Sequence, residues 1–219
     1  MNNTQIVATT TALRPSATEP VVGPDTWQAA LPVLEGERVC LRELQRTDAA
    51  PLLPLISAPE VARFISPPPP SVERLESFID WSRRQRAAGT YVAFGLVPRG
   101  ESVPAGLLQV RQLDEEFRTA EWGFALGAPL WGRGLFREAA HLLLDFAFGT
   151  LGVHRLEARA AVPNVRAHAA IQKLGAVREG VLRQSLVTGD GSCFDQVLWS
   201  LLDEDWRRRP VMAARHLVH

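Results

Sequence analysis

The clearest hydrophobic pattern in this chain is a strict alternation between Thr119 and Leu126. Four apolar residues occupy every second position: Ala120, Trp122, Phe124 and Leu126. The positions between them hold Glu121, Gly123 and Ala125. A period of two is typical of a β-strand with one buried face. The other face of this strand therefore carries one carboxylate beside two residues with almost no side chain, which leaves room for a ligand.

A long helix is predicted directly after two closely spaced glycines, Gly132 and Gly134. Apolar residues recur at helical spacing in two rows that run to about Phe148: Leu135, Ala139, Leu142 and Phe146, and Phe136, Ala140, Leu143 and Ala147. So wide an apolar face predicts a helix that packs against a sheet. A strand, a glycine turn and a helix N-terminus together form an anion-binding arrangement, because free N–H groups and the helix dipole both favour negative charge.

The same patterns predict the remaining elements. Before the turn they are a strand near Val39–Leu44, a helix capped by Thr47 or Asp48, a helix from Ser71 to about Arg86, and strands at 91–97 and 105–113. After it come a strand at 154–162, a short helix between Asn164 and Gly175, strands at 176–187 and 193–202, and a polar helical segment from Asp203. The order β-α-α-β-β-β-α-β-α-β-β indicates an α/β protein with one mixed sheet, neither doubly wound nor a barrel.

Length and composition predict one domain with extensions. Residues 1–33 are expected to form an irregular N-terminal extension, in which Trp27 and Leu31 dock on the domain. The domain proper is predicted at 34–206, and residues 207–219 form a C-terminal tail. The 219 residues carry 24 basic and 24 acidic side chains, so no overall field favours nucleic acid or a membrane surface.

Further absences narrow the expected location and chemistry. Cys40 and Cys193 lie far apart and lack metal-ligand spacing, which favours free thiols in a reducing compartment and no metal. No apolar run reaches the roughly 18 residues of a membrane span, and no signal-peptide pattern opens the chain. We therefore expect a cytoplasmic protein without membrane partners, either a monomer or a homodimer.

The glycine turn excludes two phosphate-binding motifs. It lacks the Lys-Ser/Thr pair of a P-loop. Of the three glycines in the dinucleotide fingerprint it has only the first two, because Arg137 stands where the third would fall, and no alternating βαβ run surrounds it. A nucleotide-binding protein nevertheless stays open as an alternative at this stage.

A wider set of motifs resembles a known family. The runs AEWGFALGAPLWGRGLFREAAHLLLDFAF, VHRLEARAAVPNVRAHAAIQKLGAVREGVLR and DQVLWSLLDEDW are similar to those of the GNAT superfamily of acyl-CoA-dependent N-acetyltransferases. Within it the chain resembles the ribosomal-protein branch, which acetylates N-terminal Ala or Ser. The resemblance spans about Leu34 to Trp206, and the opening LEGERVCLREL also fits. It implies a mostly antiparallel sheet of about seven strands, with helices on both faces, splayed at the acyl-CoA site.

The resemblance also implies where acetyl-CoA binds. The turn would hold the pyrophosphate through the N–H groups of four residues, with the Arg133 side chain near the phosphates: Gly132, Arg133, Gly134 and Leu135. Trp131 and Phe136, which flank this turn, are also expected to contact the cofactor. Pantetheine would lie along the splayed strand and bond to the backbone of Phe124, Ala125 and Leu126, as an added strand would. Asn164 matches the family's Asn, whose amide reaches the pantetheine or acetyl region.

Glu121 is the candidate general base. An amine with a pKa of about 8 to 10 is mostly protonated at neutral pH, so a base must remove a proton before the amine attacks the thioester. Glu121 lies on the cofactor strand and points away from its apolar face; the alternative is an ion-paired strand carboxylate. A backbone N–H of the splayed strand would hold the oxyanion.

No residue is an obvious general acid. The tyrosine that many family members use is missing, because Tyr91 lies in the wrong element. Ala167 stands where the ribosomal branch often has Ser. The adjacent His168 is a weak substitute, since it lies about 100° further round the helix. Other polar residues have structural alternatives to a role in acetyl transfer: His141, Glu179, Arg183 and Asp195.

The sequence therefore predicts an acetyl-CoA-dependent N-acetyltransferase. The amine acceptor is expected to be a protein N-terminal Ala or Ser. A small amine, such as an antibiotic or amino acid, remains an alternative acceptor. A non-catalytic acyl-CoA-binding module is the alternative from another class. The acceptor, the acyl length, the general acid and the oligomeric state are left open by the sequence.

Overall fold

A computed structural model describes residues 26–65 and 67–209. The strands are β1 Leu34–Glu35, β2 Val39–Glu43, β3 Tyr91–Pro98, β4 Gly106–Gln112, β5 Thr119–Leu126, β6 Arg155–Ala161, β7 Val177–Val187 and β8 Cys193–Leu202. The α-helices are α1 Thr26–Ala29, α2 Ala49–Ser57, α3 Pro59–Ala62, α4 Val72–Ala87, α5 Leu135–Gly149, α6 Val165–Gln172 and α7 Asp203–Arg207. The predicted elements are all found in the predicted order, and the two-residue strand β1 and short helices α1 and α3 are additional.

The strands form one sheet in the order β1-β2-β3-β4-β5-β6-β8-β7. Neighbouring strands are antiparallel except β5 and β6, which run parallel. Helix α5 makes the crossover between these two parallel strands. The predicted mixed and mostly antiparallel sheet is confirmed, with eight strands instead of about seven because β1 adds a short edge strand.

Helices cover both faces of the sheet, as predicted. The larger core lies between the sheet and helices α5 and α6, and includes Leu143, Leu144 and Ile171. A smaller core lies on the opposite face, where Leu52 of α2 and Leu75 of α4 pack on β3. The alternation in β5 distributes its side chains between the two faces, so the face that carries Glu121 is the face that α2 and α4 cover.

The pairing of β5 with β6 is short, and this positions the candidate site. Only three residue pairs join the two strands, and the last is Glu121 opposite Glu157. The pairing of β5 with β4, by contrast, extends to Leu126. Beyond Glu121 the two parallel strands therefore diverge, and the predicted splay begins at the residue predicted to be the base.

The described part of the N-terminal extension packs on the domain. Trp27 and Leu31 are buried in the larger core, and the Trp27 ring contacts Phe117 edge-on with centroids 6.0 Å apart. The docking predicted for these two residues is therefore found. The irregular segment predicted for residues 1–25, like residues 210–219 of the tail, lies outside the described residues. None of the helices at 26–65 and 67–209 has the length and apolar character to cross a membrane.

Candidate active site

Glu121 is held by arginine at the point where the sheet opens. Its Oε2 accepts a hydrogen bond from Arg111 Nη2 at 2.7 Å and lies 3.6 Å from Arg159 Nε. The Glu121 side chain is 21% exposed, so it is accessible from the α2–α4 side of the sheet. An ion-paired carboxylate was one of the two expectations for this residue. Its position at the mouth of the splay is what the other expectation, a general base, also requires.

Further charged side chains extend from Glu121 across the sheet. Together they form a charged row in the order Arg111, Glu121, Arg159, Glu157, Arg155 and Glu179. Glu157 lies within 3.8 Å of Arg159 and 3.0 Å of Arg155, and Arg155 in turn pairs with Glu179 of β7. Acidic and basic side chains alternate along this row, so each carboxylate has a cation beside it. The sequence did not signal this row, because its members come from four strands separated by up to 68 positions.

The open edge of β5 presents backbone polar groups toward the splay. Gly127 N donates to Ala105 O at 2.9 Å, which identifies the residues in this part of the chain whose peptide groups point toward β4. Peptide groups alternate between the two sides of a strand, so every second residue faces the splay: Trp122, Phe124 and Leu126. The backbone N–H and C=O groups of Ala125 point toward β4, so Ala125 contributes only its small side chain to the β5 side of the splay.

The glycine turn has the backbone that the sequence predicts. Gly132 and Gly134 have φ of +73° and +76°, a region that favours glycine, and Gly134 is the N-cap residue of α5. A Cβ on Gly134 would also lie 3.2 Å from Arg38 Nη1. The first N–H groups of α5 have no partner within the helix, so the turn presents donors and a positive dipole to an anion.

Trp131 connects this turn to both walls of the splay, of which one is β5 and the other is β6 with the start of α6. Its Nε1 donates to Leu126 O at 2.9 Å, at the end of β5. The guanidinium of Arg166, from the first turn of α6, lies over the indole with its Cζ 3.8 Å from the ring centroid. The predicted cofactor residue Trp131 is thus fixed in place by contacts on two sides.

Phe136 packs inward against the strand. Its ring centroid lies 4.3 Å from that of Phe124 and 6.4 Å from that of Trp122. The three rings form one aromatic cluster between α5 and β5. This inward packing agrees with the place of Phe136 in the apolar rows that predict a helix packed against the sheet, and the cluster gives the reason for an aromatic side chain directly behind the glycine turn.

Asn164 caps α6 on the far wall. Its Oδ1 accepts a hydrogen bond from Ala167 N at 3.1 Å. The cap engages only the side-chain oxygen, which leaves the two N–H donors of the amide available to other groups. Asn164 follows β6 and Phe124–Leu126 belong to β5, so the two predicted parts of the cofactor site lie on opposite sides of the splay.

The two residues considered for a general acid are engaged elsewhere. His168 Nε2 lies 3.0 Å from Ala161 O, and its Nδ1 lies 3.1 Å from Trp199 Nε1. The indole N–H only donates, so Nδ1 accepts it and Nε2 carries the hydrogen. His168 therefore links α6 to β6 and β8, because both of its ring nitrogens are engaged. Tyr91 is buried in β3, its hydroxyl bonds to Gln109, and burial raises its pKa.

Three other candidates make structural contacts. Asp195 Oδ1 accepts a hydrogen bond from Gln184 N at 2.8 Å, which is a structural contact and not a role in acetyl transfer. Glu179 also accepts from Ser200 Oγ at 2.6 Å, so it fixes the β7–β8 hairpin. His141 packs beside Trp206, and burial lowers its pKa. It lines a cavity of about 680 Å³ between α5, the end of α6 and α7, which is separate from Glu121 and the glycine turn.

Sequence reasoning missed four arginines around the site. Arg111 and Arg159 pair with Glu121, Arg166 stacks on Trp131, and Arg38 Nη2 donates to Arg133 O. The Arg38 backbone N–H also bonds to Glu138 Oε1 at 2.8 Å, so the β1–β2 connection is attached to the start of α5. Cross-strand register identifies Arg111, because it lies directly opposite Glu121. No local signal identifies the other three.

The described residues include no group of three or more His, Cys, Asp or Glu side chains arranged to hold a metal ion. The donors that do converge are backbone N–H groups, an amide and arginines. This set suits an extended ligand with an amide-rich arm and a phosphate group. The residues present therefore fit CoA.

Comparison with known proteins also indicates a protein that uses CoA. The family model described as the acetyltransferase (GNAT) domain matches residues 38–177. YdaF of Bacillus subtilis, whose name assigns it provisionally to the ribosomal N-acetyltransferases, is 30% identical over 176 residues, which cover 78% of this chain and 94% of YdaF. The [ribosomal protein uS5]-alanine N-acetyltransferase of Escherichia coli is 28% identical over 119 residues, which cover 54% of this chain and 61% of that protein.

Solved structures share the fold. RimJ of Mycobacterium smegmatis, solved in complex with CoA-disulfide, has a TM-score of 0.68 at 24% identity, covering 76% of this chain and 83% of its own. At that identity the likeness concerns the fold alone. The splayed parallel pair, the glycine turn and the matching family model lead to one conclusion: this chain belongs to the GNAT family of acetyl-CoA-dependent N-acetyltransferases.

Proposed function

We propose that this protein transfers an acetyl group from acetyl-CoA to the N-terminal amine of a protein that begins with Ala or Ser. The observation that carries the proposal is the position of Glu121 at the point where β5 and β6 separate. A carboxylate there stands at the end of the open β5 edge, on the side that α2 and α4 cover. The names of YdaF and the Escherichia coli enzyme support a protein acceptor.

The open edge of β5 provides the donor site in this proposal. The peptide groups of Phe124 and Leu126 bond the pantetheine arm, and the Asn164 amide contacts it from the opposite wall. The N–H groups from Gly132 to Leu135 hold the pyrophosphate. This arrangement directs the thioester toward Trp122, whose N–H faces the splay and stabilises the developing oxyanion.

Glu121 accepts a proton from the acceptor ammonium, directly or through one water molecule. Arg111 and Arg159 fix the orientation of the carboxylate during this transfer. The free amine then attacks the thioester carbonyl, and the C–S bond breaks so that CoA leaves as a thiolate. The attacking nitrogen gives its second proton to water as the amide forms. Ala167 has no proton to give and His168 is engaged by Trp199, so water protonates the leaving thiolate.

The acceptor reaches Glu121 from the face that α2 and α4 cover. On that face the segment after α3 meets the β7–β8 hairpin, because the Phe64 and Phe194 rings contact edge-on at 5.9 Å. Pro67 and the turn at Gly189 also lie close together. In this proposal an extended chain terminus enters beside these contacts and passes along the charged row to Glu121.

An acceptor panel tests the proposal. Release of free thiol from acetyl-CoA is measured with peptides that begin with Ala or Ser, with the same peptides already N-acetylated, and with small amines that include amino acids and aminoglycosides. We expect turnover only with the free peptides. Turnover restricted to small amines would replace the acceptor assignment, and tight CoA binding without turnover on any acceptor would indicate a non-catalytic binding module.

A further inference from the structure

Arg166 reaches across the splay from its far wall. It lies in the first turn of α6, which follows β6, whereas Trp131 precedes the glycine turn that follows β5. Because Trp131 Nε1 is bonded to Leu126 O, the indole is fixed as part of the β5 wall. The contact between Arg166 and Trp131 thus joins the two walls next to the turn that receives the anion.

The guanidinium keeps its hydrogen-bonding capacity in this position. Stacking uses the planar face of the group, while its N–H donors lie in the plane and point outward from the edge. A guanidinium held in this way has lost much of its conformational freedom before a ligand arrives. Trp131 therefore acts as a platform that orients the donors of Arg166.

The charge around the turn is unbalanced. None of the ion pairs among the described residues involves Arg38, Arg133 or Arg166. The nearby carboxylate of Glu138 accepts a backbone N–H of Arg38 instead of pairing with a guanidinium. Three elements thus each contribute one arginine at or next to the turn: Arg38 from the β1–β2 connection, Arg133 in the turn itself and Arg166 from α6. By contrast, arginines beside the start of the splay, such as Arg111 and Arg155, are paired with carboxylates.

We propose that Arg166 binds the pyrophosphate of the CoA donor from the α6 side, opposite the N–H groups of the glycine turn. This inference rests on the proposed function. The glycine turn would bind the pyrophosphate from the β5 side, and Arg166 would bind it from the α6 side. The cofactor would then bridge the two walls of the splay, which are already in contact through Trp131. A planar, bidentate cation suits two adjacent phosphate oxygens better than an ammonium does.

Calorimetric titration without an acceptor tests this role. Arg166→Gln and Arg166→Lys are titrated with CoA and with dephospho-CoA, which keeps the pyrophosphate and lacks the 3′-phosphate. Pantetheine, which has no phosphate, is measured by displacement of CoA. Arg74→Gln is the matched control, because Arg74 is exposed on α4 against the opposite face of the sheet and the substitution changes the net charge equally.

For Arg166→Gln we expect CoA and dephospho-CoA to bind about 10- to 100-fold more weakly, as for the loss of a hydrogen bond to a charged group, while pantetheine binds as before. Arg166→Lys should recover part of the loss, and Arg74→Gln should bind CoA within twofold of wild type. An equal loss with pantetheine, a loss confined to CoA, or unchanged affinity for all three would overturn the assignment. If wild type itself fails to bind CoA, the proposed function fails as well, which separates the two outcomes.

Discussion

Glu121 of β5 lies directly opposite Glu157 of β6, and this is the last pair of residues that joins the two parallel strands. Two carboxylates at adjacent positions of a sheet repel each other unless cations separate them. Arg159 lies within 4 Å of both, and Arg111 and Arg155 each pair with one of them. The site therefore opens at a carboxylate that its neighbours hold firmly, and several consequences can be measured.

Because the backbone of the glycine turn is left-handed, any side chain introduced there should lower the free energy of unfolding. Gly132→Ala places a Cβ at a φ of +73°, which we expect to lower the free energy of unfolding by about 1–2 kcal/mol and to weaken CoA binding. Urea denaturation and calorimetry measure the two effects. Gly149→Ala is the control, because its Cβ would also meet open space, and its φ is not positive. Equal stability of the two variants would contradict this account of the turn.

The aromatic cluster behind the turn predicts coupling between Phe124 and Phe136. Their centroids lie 4.3 Å apart, so the two alanine substitutions should not be additive. We expect a coupling free energy of about 0.5–1.5 kcal/mol in a double-mutant cycle measured by urea denaturation. In the cycle that combines Phe136→Ala with Phe117→Ala, the two effects should be additive, because the Phe117 ring packs on Trp27 instead. Coupling of similar size in both cycles would show that the contact is not specific.

The contacts of His168 predict a structural role. His168→Gln removes the ring that links Trp199 to the end of β6, which should lower the free energy of unfolding by about 1 kcal/mol. The rate of acetyl transfer and its pH profile should stay close to wild type, because the ring does not serve as an acid. A loss of turnover of 100-fold or more in a stably folded variant would restore His168 as the general acid.

The ion pair between Arg155 and Glu179 predicts a pH-dependent contribution to stability. Hydrogen bonds from Arg155 and Ser200 lower the pKa of Glu179 to about 2, from an ordinary value of 4.5. A carboxyl whose folded-state pKa is depressed stabilises the fold above its unfolded pKa and loses this effect as the pH falls toward 2. Because Glu179 is 36% exposed, we expect Glu179→Gln to cost less than about 1 kcal/mol at pH 7.

Urea denaturation of wild type and Glu179→Gln at pH 7, 5 and 3.5 measures this dependence. The difference between the two proteins should be largest at pH 7 and should shrink at pH 3.5. Glu115→Gln, at an exposed loop position, serves as the control and should match wild type throughout. A difference that stays constant with pH would indicate that Glu179 acts through packing.

The order of elements was accessible from the sequence because it depends on local periodicity and short motifs, whereas the splay was implied by the resemblance to the GNAT superfamily. The alternation of β5, the helical rows of α5 and the paired glycines each lie within about 16 consecutive residues. The partners of the candidate residues depend on strand register instead. Arg111 meets Glu121 only because a hairpin aligns them, and Arg166 meets Trp131 across a crossover of some 35 residues. Asp48 shows the same limit: it precedes α2 as predicted, but its carboxylate pairs with Arg42.

We propose that the mouth of the splay is a site of acetyl transfer with Glu121 as its base. It is tested most directly by Glu121→Gln, measured as kcat/KM for thiol release with the best acceptor and as CoA affinity by calorimetry. We predict a loss of kcat/KM of about 10²- to 10⁴-fold with CoA affinity within threefold of wild type, and no loss for Glu115→Gln. Wild-type turnover in Glu121→Gln, or an equal fall in CoA affinity, would contradict the claim.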